Sequence, residues 1–236
     1  MRRGLAGSIR TRQAAGVMPV LSEIKVRSPK DGDLLRGRDP EDLATAMAGA
    51  GIAGLSIVTA PEDFDGDVEM VRRIRRRVDV PILRKDFTRE VTDLDETVEA
   101  GADAILLTVA LLDDETLGVL HDAAHARGLE TLIETHSEAE LARVGALGLQ
   151  PDLLGINNRD IRVLERDDGD VSRTERLAAY VHEDQLLLSE SSIDGAQAVR
   201  RAREAGADAV LVGTWILTAD DPVEAIETLI SVGWPG

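Results

Sequence analysis

"AGIAGLSIVTA" (50–60), "AGADAILLTVA" (100–110) and "AGADAVLVGTW" (205–215) are three renderings of one local design. Each opens on Ala-Gly, passes a short turn and rises into a run of aliphatic residues. Glycine in the second place suits the left-handed conformation that ends a helix. The run that follows reads as a strand buried on both faces. A helix end feeding a buried strand is the repeating element of a parallel sheet.

The rest of the chain continues the pattern. Short aliphatic runs read as strands at 19–25, 54–59, 81–85, 104–108, 130–134, 153–157, 185–190 and 209–213. Amphipathic stretches lie between them, for example 69–78, 113–127 and 194–205. Eight strand–helix units in 236 residues predict an α/β fold, a single (β/α)8 TIM barrel over 19–236. Residues 1–18 make a short amino-terminal extension, readable as a frayed helix or an arm. An open doubly wound sheet is the competing architecture, but no glycine-rich dinucleotide turn follows the first strand.

Hydrophobic residues make up 43% of the chain, enough for a sizeable core. Only Phe64, Phe87, Tyr180, Trp215 and Trp234 are aromatic, so that core is aliphatic. The net charge of −17 repels phosphate backbones and anionic lipid heads, which excludes nucleic acid and membranes as expected partners. Without cysteine there are no disulfides, thiolate metal sites or cysteine nucleophile. No leader or long apolar stretch is visible, and a cytoplasmic protein is expected, a monomer or weak homo-oligomer. Strong acidity with few lysines suggests a halophilic protein; an acidic mesophilic protein from a GC-rich genome is the other reading.

In a barrel of this kind, active sites form at the carboxyl ends of the strands. Ionisable residues gather there. The first strand ends in Glu23 and Lys25, two apart and hence on one side. The third ends in Lys85, the fifth in Glu134, the sixth in Asn157 and Arg159, and the seventh in Glu190. Any one of these is ordinary as a salt-bridge partner or cap; their convergence on one rim points to catalysis.

Of 27 basic residues only Lys25, Lys30 and Lys85 are lysine. Arginine stays protonated at any usable pH, whereas a lysine perturbed by desolvation and a neighbouring cation can act as a general acid. Lys25 and Lys85 therefore read as functional; Lys30, in "SPKDGD", stays open between an idle residue and one at the pocket mouth. In "SESSID" (189–194) and "VGTWIL" (212–217), Ser191, Ser192, Gly213 and Thr214 fall in the seventh and eighth loops, where barrels build phosphate sites. An ordinary helix cap by Ser192 is the alternative. His121 and His125 read as a solvated helix face and no metal site is expected; His136 stays open. "RRIRRR" (72–77) reads as a helix surface pairing with the acidic exterior.

The segments "SEIKVRSP", "LSIVTAPEDFDGD", "PILRKDF", "GADAILL", "LIETH", "GINNRD", "SESSI" and "AVLVGT", in this order, resemble the indole-3-glycerol-phosphate synthase family of tryptophan biosynthesis. The resemblance covers roughly nine-tenths of the chain. It implies a carboxy-lyase that closes the indole ring of 1-(2-carboxyphenylamino)-1-deoxyribulose 5-phosphate, a small phosphorylated substrate, with no metal or organic cofactor. Carried over by position, Lys85 resembles the general acid and Glu134 the base of the later dehydration. Lys25, with Glu23 beside it, resembles the lysine that holds the substrate carboxylate and takes part in proton transfer. Asn157, Arg159 and Glu190 match residues that orient the ribulose hydroxyls and the catalytic groups, and Ser28 matches a substrate contact. Ser191, Ser192, Gly213 and Thr214 fall on the phosphate site, and Phe64, Phe87 and Leu106 on the wall around the aromatic ring. The family usually has glycine where this chain has Ser192. It also carries a longer amino-terminal segment that helps cover the substrate, so a reduced cover is expected here. Another phosphosugar barrel, either an isomerase or a Schiff-base aldolase using Lys85, and a non-catalytic scaffold are the competing functions.

Overall fold

The computed structural model describes residues 4–163 and 169–235. The first three residues of the expected arm, 164–168 of the expected barrel, and Gly236 lie outside the described residues.

Eight parallel strands close on themselves: β1 (Val20–Ile24), β2 (Gly54–Val58), β3 (Ile82–Lys85), β4 (Ala104–Thr108), β5 (Glu130–Thr135), β6 (Leu153–Asn157), β7 (Leu187–Glu190) and β8 (Ala209–Val212). Each pairs with its neighbours in sequence, and β1 pairs with β8 through Val20↔Val210, Leu21↔Leu211 and Ser22↔Val212. No open edge is left in the barrel. This is the TIM barrel expected from the repeats, and the doubly wound alternative is excluded.

Helices α2 (Pro40–Gly49), α4 (Val68–Arg75), α5 (Val91–Ala100), α6 (Asp114–Arg127), α7 (Glu138–Ala146), α8 (Ser172–Leu177), α9 (Ala196–Glu204) and α11 (Pro222–Ile230) follow the eight strands in turn. Short helices α3 (Pro61–Phe64) and α10 (Thr214–Thr218) sit in the loops after β2 and β8. Their starts are chemically marked: Asp39, Asp67, Asp113, Ser137 and Asp221 each accept backbone N–H bonds as side-chain caps. The repeated Ala-Gly turns hold Gly51, Gly101 and Gly206 at φ +86°, +87° and +111°, as read from the sequence.

Strand periodicity of two divides the core. Outward residues such as Val20, Ile24, Leu55, Ile57, Ile105, Leu107 and Ile133 pack under the helices. Inward residues Leu21, Leu83, Leu106, Leu132, Leu153, Leu188 and Leu211 fill the barrel itself. Two residues beyond that leucine layer, the same inward positions carry Glu23, Lys85, Thr108, Glu134, Glu190 and Gly213. The polar ring is therefore a continuation of the core pattern.

Among the described residues of the amino-terminal segment, ten form a docked helix. Helix α1 (Leu5–Ala14) buries Leu5 and Ile9, one turn apart, in the interior cluster at the amino-terminal mouth. Its leading N–H groups, those of Leu5 and Ala6, donate to Glu130 at the start of β5. Ser8 Oγ donates to Ala53 O at 2.6 Å and Gln13 Nε2 to Asp208 Oδ1 at 3.0 Å. The sequence missed this because only two apolar residues in the helix reach the core.

Of two surface expectations, one holds and one changes in part. "RRIRRR" does pair with carboxylates, through Arg73 to Glu41 at 2.9 Å, Arg75 to Asp103 at 2.9 Å and Arg77 to Asp42 at 2.7 Å. His121, however, is buried, with its ring edge-on to His125 at 4.3 Å, so of the pair only His125 faces solvent.

Candidate active site

The carboxyl-terminal mouth holds two cavities that share Glu23 and Lys25. The first, of about 380 Å³, is lined largely by apolar side chains: Phe64, Phe87, Leu106, Val58, Ala60 and Ile161. Lys85, Asp86, Glu134 and Thr108 complete it together with the shared pair. Phe64 and Phe87 lie 6.2 Å apart at a tilt of 52°, and Lys25 Nζ stands 5.8 Å from the centre of the Phe64 ring. The second cavity, about 900 Å³ and open to solvent, is lined by Lys30, Arg159, Ser191, Ser192, Gly213 and Thr214 among others. All three lysines of the chain thus face one or other cavity.

Between the cavities runs a chain of opposite charges. Lys25 Nζ meets Glu23 Oε1 at 3.2 Å, Lys85 Nζ meets Glu23 Oε2 at 3.4 Å, and Lys85 Nζ meets Glu190 Oε2 at 3.5 Å. Glu23 and Glu190 are buried and at most 3% exposed, so water screens these pairs little and each carboxylate depends on its partner. The sequence anticipated one cation beside another; instead Glu23 bridges the two ammoniums. Glu134 is held separately: Asn157 Nδ2 donates to its Oε2 at 3.0 Å and Thr108 Oγ1 to its Oε1 at 3.3 Å.

Two glycines make room for this ring. A β-carbon on Gly155, in the middle of β6, would stand 2.1 Å from Glu190 Oε1. One on Gly213 would stand 2.6 Å from Glu23 Oε1, so Gly213 accommodates Glu23 as well as lining the second cavity.

Outward neighbours lock the inward residues. Arg84 reaches Thr59 Oγ1, Thr97 Oγ1 and the Asp86 carboxylate, at 3.1 Å in each case. This pins the turn that carries Lys85 and Phe87. Asn158 Nδ2 donates to Ser189 Oγ at 3.1 Å and Glu190 O at 2.9 Å, tying the sixth loop to β7. Arg173 Nη1 donates to Asn157 O at 2.8 Å and Arg159 O at 2.7 Å.

The serine pair departs from an ordinary cap. Helix α9 starts at Ala196 behind Gly195, so Ser192 caps nothing. Ser191 and Ser192 instead adopt φ +63° and +55°, a left-handed region costly to residues with a β-carbon. Ser192 Oγ accepts from Arg159 Nε at 3.3 Å, drawing the guanidinium to the second cavity.

Of the residues singled out from sequence, Glu23, Lys25, Lys85, Glu134, Phe64, Phe87, Leu106, Arg159, Ser191, Ser192, Gly213 and Thr214 line the cavities. Asn157 and Glu190 stand behind, bonded to Glu134 and Lys85. Ser28 lines neither cavity: its hydroxyl donates to Asp31 Oδ2 at 3.1 Å and accepts from the N–H groups of Lys30 and Asp31, closing a turn. Thr108, Ile161 and Trp215 line the cavities without having been singled out. Thr108 was within reach of the period-two rule, two beyond Leu106. Ile161 and Trp215 carry no comparable signal, since apolar loop residues are unremarkable in sequence.

Comparison with known proteins agrees with this geometry. The family model described as indole-3-glycerol phosphate synthase matches residues 2–229. An indole-3-glycerol phosphate synthase of Thermococcus kodakarensis is 43% identical over 231 residues, 97% of this chain and 98% of that protein. One of Haloarcula marismortui is 44% identical over 87% of this chain and 74% of that protein. Among solved structures, a tryptophan synthase alpha chain from Legionella pneumophila subsp. pneumophila superposes with a TM-score of 0.67 at 16% identity, covering 98% of this chain and 95% of that one, a likeness of fold alone. Among the described residues no helix is long and apolar enough to cross a membrane. With a matching model from residue 2 to residue 229, relatives above 40% identity and an aromatic-lined mouth ringed by lysine and glutamate, this chain belongs to the indole-3-glycerol phosphate synthase family.

Proposed function

We propose that the chain is a carbon–carbon lyase that converts 1-(2-carboxyphenylamino)-1-deoxyribulose 5-phosphate to indole-3-glycerol phosphate, releasing carbon dioxide and water. The reading rests on one observation: an apolar cavity and a cation-bearing cavity share Glu23 and Lys25, with Lys85 bonded to the same Glu23. Such a mouth suits a molecule that is aromatic at one end and phosphorylated at the other.

The aromatic ring fits among Phe64, Phe87, Leu106 and Ile161. The phosphate takes the cavity of Arg159, Lys30, Ser191, Ser192, Gly213 and Thr214, and the ribulose chain spans the charged bridge between them. Lys25 holds the ring carboxylate. As the ring carbon attacks the keto carbon, Lys85 gives its proton to the carbonyl oxygen, which becomes a hydroxyl. The carboxylate leaves as carbon dioxide and its bonding electrons return to the ring system. That hydroxyl then leaves as water on a proton from the Lys25 ammonium, released once the carboxylate has gone, while Glu134 takes the proton lost from the adjoining carbon. Asn157 and Thr108 keep the Glu134 oxygens aimed, Glu190 keeps Lys85 in place, and Ser28 acts by shaping the first loop.

The substrate is an anion and the protein carries −17, so attraction is supplied by local cations rather than by the overall field. Salt near 1 M would shrink the Debye length to about 3 Å and screen the long-range repulsion, which suits a halophilic cytoplasmic enzyme.

The test is indole fluorescence after adding the substrate to the wild-type protein, Lys85→Ala and Lys85→Arg in high-salt buffer. Fluorescence should rise with the wild type and stay flat with both variants, while circular dichroism stays unchanged. A silent wild type overturns the reading, and a borohydride-trapped adduct on Lys85 replaces it with Schiff-base aldolase chemistry.

A further inference from the structure

Behind Glu134, away from both cavities, lies a buried imidazole that the proposed reaction does not use. His136 follows β5 and only 2% of its side chain is exposed. Its Nδ1 lies 3.2 Å from Glu140 Oε2 on α7, and the same oxygen accepts the His136 backbone N–H at 2.7 Å. Glu140 therefore fixes the ring and specifies a proton on Nδ1. The other nitrogen, Nε2, is buried, makes no hydrogen bond within 3.5 Å, and points at Glu134 Oε1, 3.6 Å away.

With Nδ1 committed as a donor, two states remain for Nε2. As a bare acceptor the buried Nε2 would face a carboxylate lone pair and find no donor, leaving it unsatisfied. As an N–H it supplies Glu134 with a donor and a positive charge. The surroundings favour the second state. Facing the ring or its partner are Glu134 from β5, Glu140 from α7, Asp160 and Arg162 from the loop after β6, and Arg173 from α8. Three of these five are carboxylates. Burial opposes charging the ring, but the Glu140 hydrogen bond and the charges of Glu134 and Glu140 outweigh both burial and Arg173, holding the imidazole above its ordinary value.

We infer that His136, oriented by Glu140, is an imidazolium positioning residue that stands as counter-ion to Glu134 and keeps it aimed at the substrate. This rests on the assignment of Glu134 as the base of the dehydration. It places a counter-ion behind a carboxylate that is 1% exposed, on the side away from substrate. Glu140 in turn is held below its ordinary range; burial raises it, but the His136 hydrogen bonds and charge prevail. The row Glu140–His136–Glu134 is thus charged minus, plus, minus from the helix to the cavity.

The experiment is a pH profile of kcat and KM for the wild type, His136→Gln and Glu140→Gln. His136→Gln should lower kcat roughly tenfold to a hundredfold, the range for outer partners that orient a functional group, with KM little changed. The acidic limb of its kcat profile should move to higher pH, because the carboxylate has lost its cationic neighbour. Glu140→Gln should move the same limb the same way by less. An unchanged limb in both variants overturns the inference, whether or not kcat falls, since a purely structural loss would not move it. If His136→Gln does not fold, nitrogen NMR of histidine-labelled wild-type protein decides the matter: an imidazolium ring at pH 7 for the residue perturbed by Glu140→Gln supports it, and a neutral ring there overturns it. A wild type without activity would count against the Glu134 assignment while leaving the NMR outcome independent.

Discussion

Glu130 and Glu134 stand four residues apart on β5, on the same inward face, and end in opposite circumstances. Glu130 lies at the amino-terminal mouth, where its carboxylate accepts the leading N–H groups of α1. An anion at a helix N-terminus is stabilising, so this glutamate fastens a plug. Glu134 lies at the carboxyl-terminal mouth, facing a cavity, with Asn157, Thr108 and His136 around it. Strand, residue type and face are the same; only what the fold places opposite differs. Stability and chemistry are thereby separated to the two ends of one barrel, and substitutions should separate in the same way.

The largest effect is expected at the open end. Glu134→Gln keeps the shape but removes the base, and turnover should fall by two to four orders of magnitude, roughly the span of acid–base groups, with the unfolding midpoint unchanged. Near-normal kcat in that variant would break the comparison from the catalytic side. Next comes the plug. Leu5 is fully buried against Gly54, and Leu5→Ala should cost about 2–5 kcal/mol in denaturant unfolding. Its kcat should stay at the wild-type value; a parallel loss of activity would show that the two ends are coupled.

A smaller, mixed effect is expected at Ser192. Glycine there relieves the φ +55° backbone and should stabilise the protein by about 1 kcal/mol. It also removes the hydroxyl that draws in Arg159, so KM should rise several-fold while kcat holds. A variant more stable and equally tight in binding would strip Ser192 of its role.

The smallest effect is a pH dependence at the closed end. Burial pushes Glu130 above its ordinary 4.5, helped by Asp152 and Asp103 and opposed by the N–H groups of Ala6 and Leu5. A raised carboxyl favours folding most when protonated, so its contribution is full below pH 4.5 and is lost as pH rises through the elevated value. The wild type should therefore lose more stability than Glu130→Gln between pH 4.5 and neutrality, as denaturant titrations at several pH values would reveal. Equal losses would mean that the α1 dock does not feel the charge.

The barrel was legible because the same Ala-Gly turn and aliphatic run recur at 50–60, 100–110 and 205–215, and closure follows once eight such strands twist alike. The polar rim was legible for the same reason, since Glu23, Lys85, Glu134 and Glu190 interrupt runs that should be apolar. Helix α1 was not, because two buried side chains in ten residues leave no periodic signal. Ser28 was assigned to the substrate from its neighbours in sequence, but its hydroxyl closes a turn with Asp31. His136 stayed open because its meaning depends on Glu140, one helical turn further on, and on Glu134 behind it.

The sequence by itself determined the parallel barrel, the end at which chemistry gathers and the residue types available there, because these follow from periodicity and strand polarity, which are local. The tertiary structure alone decided who faces whom: Glu23 between two ammoniums, Gly155 making way for Glu190, α1 on Glu130 and an imidazole behind Glu134. Glu23–Lys85, Gly155–Glu190 and α1–Glu130 join residues far apart in the chain, and the strength of every one of these pairs depends on distance and burial, neither of which exists until the barrel has closed.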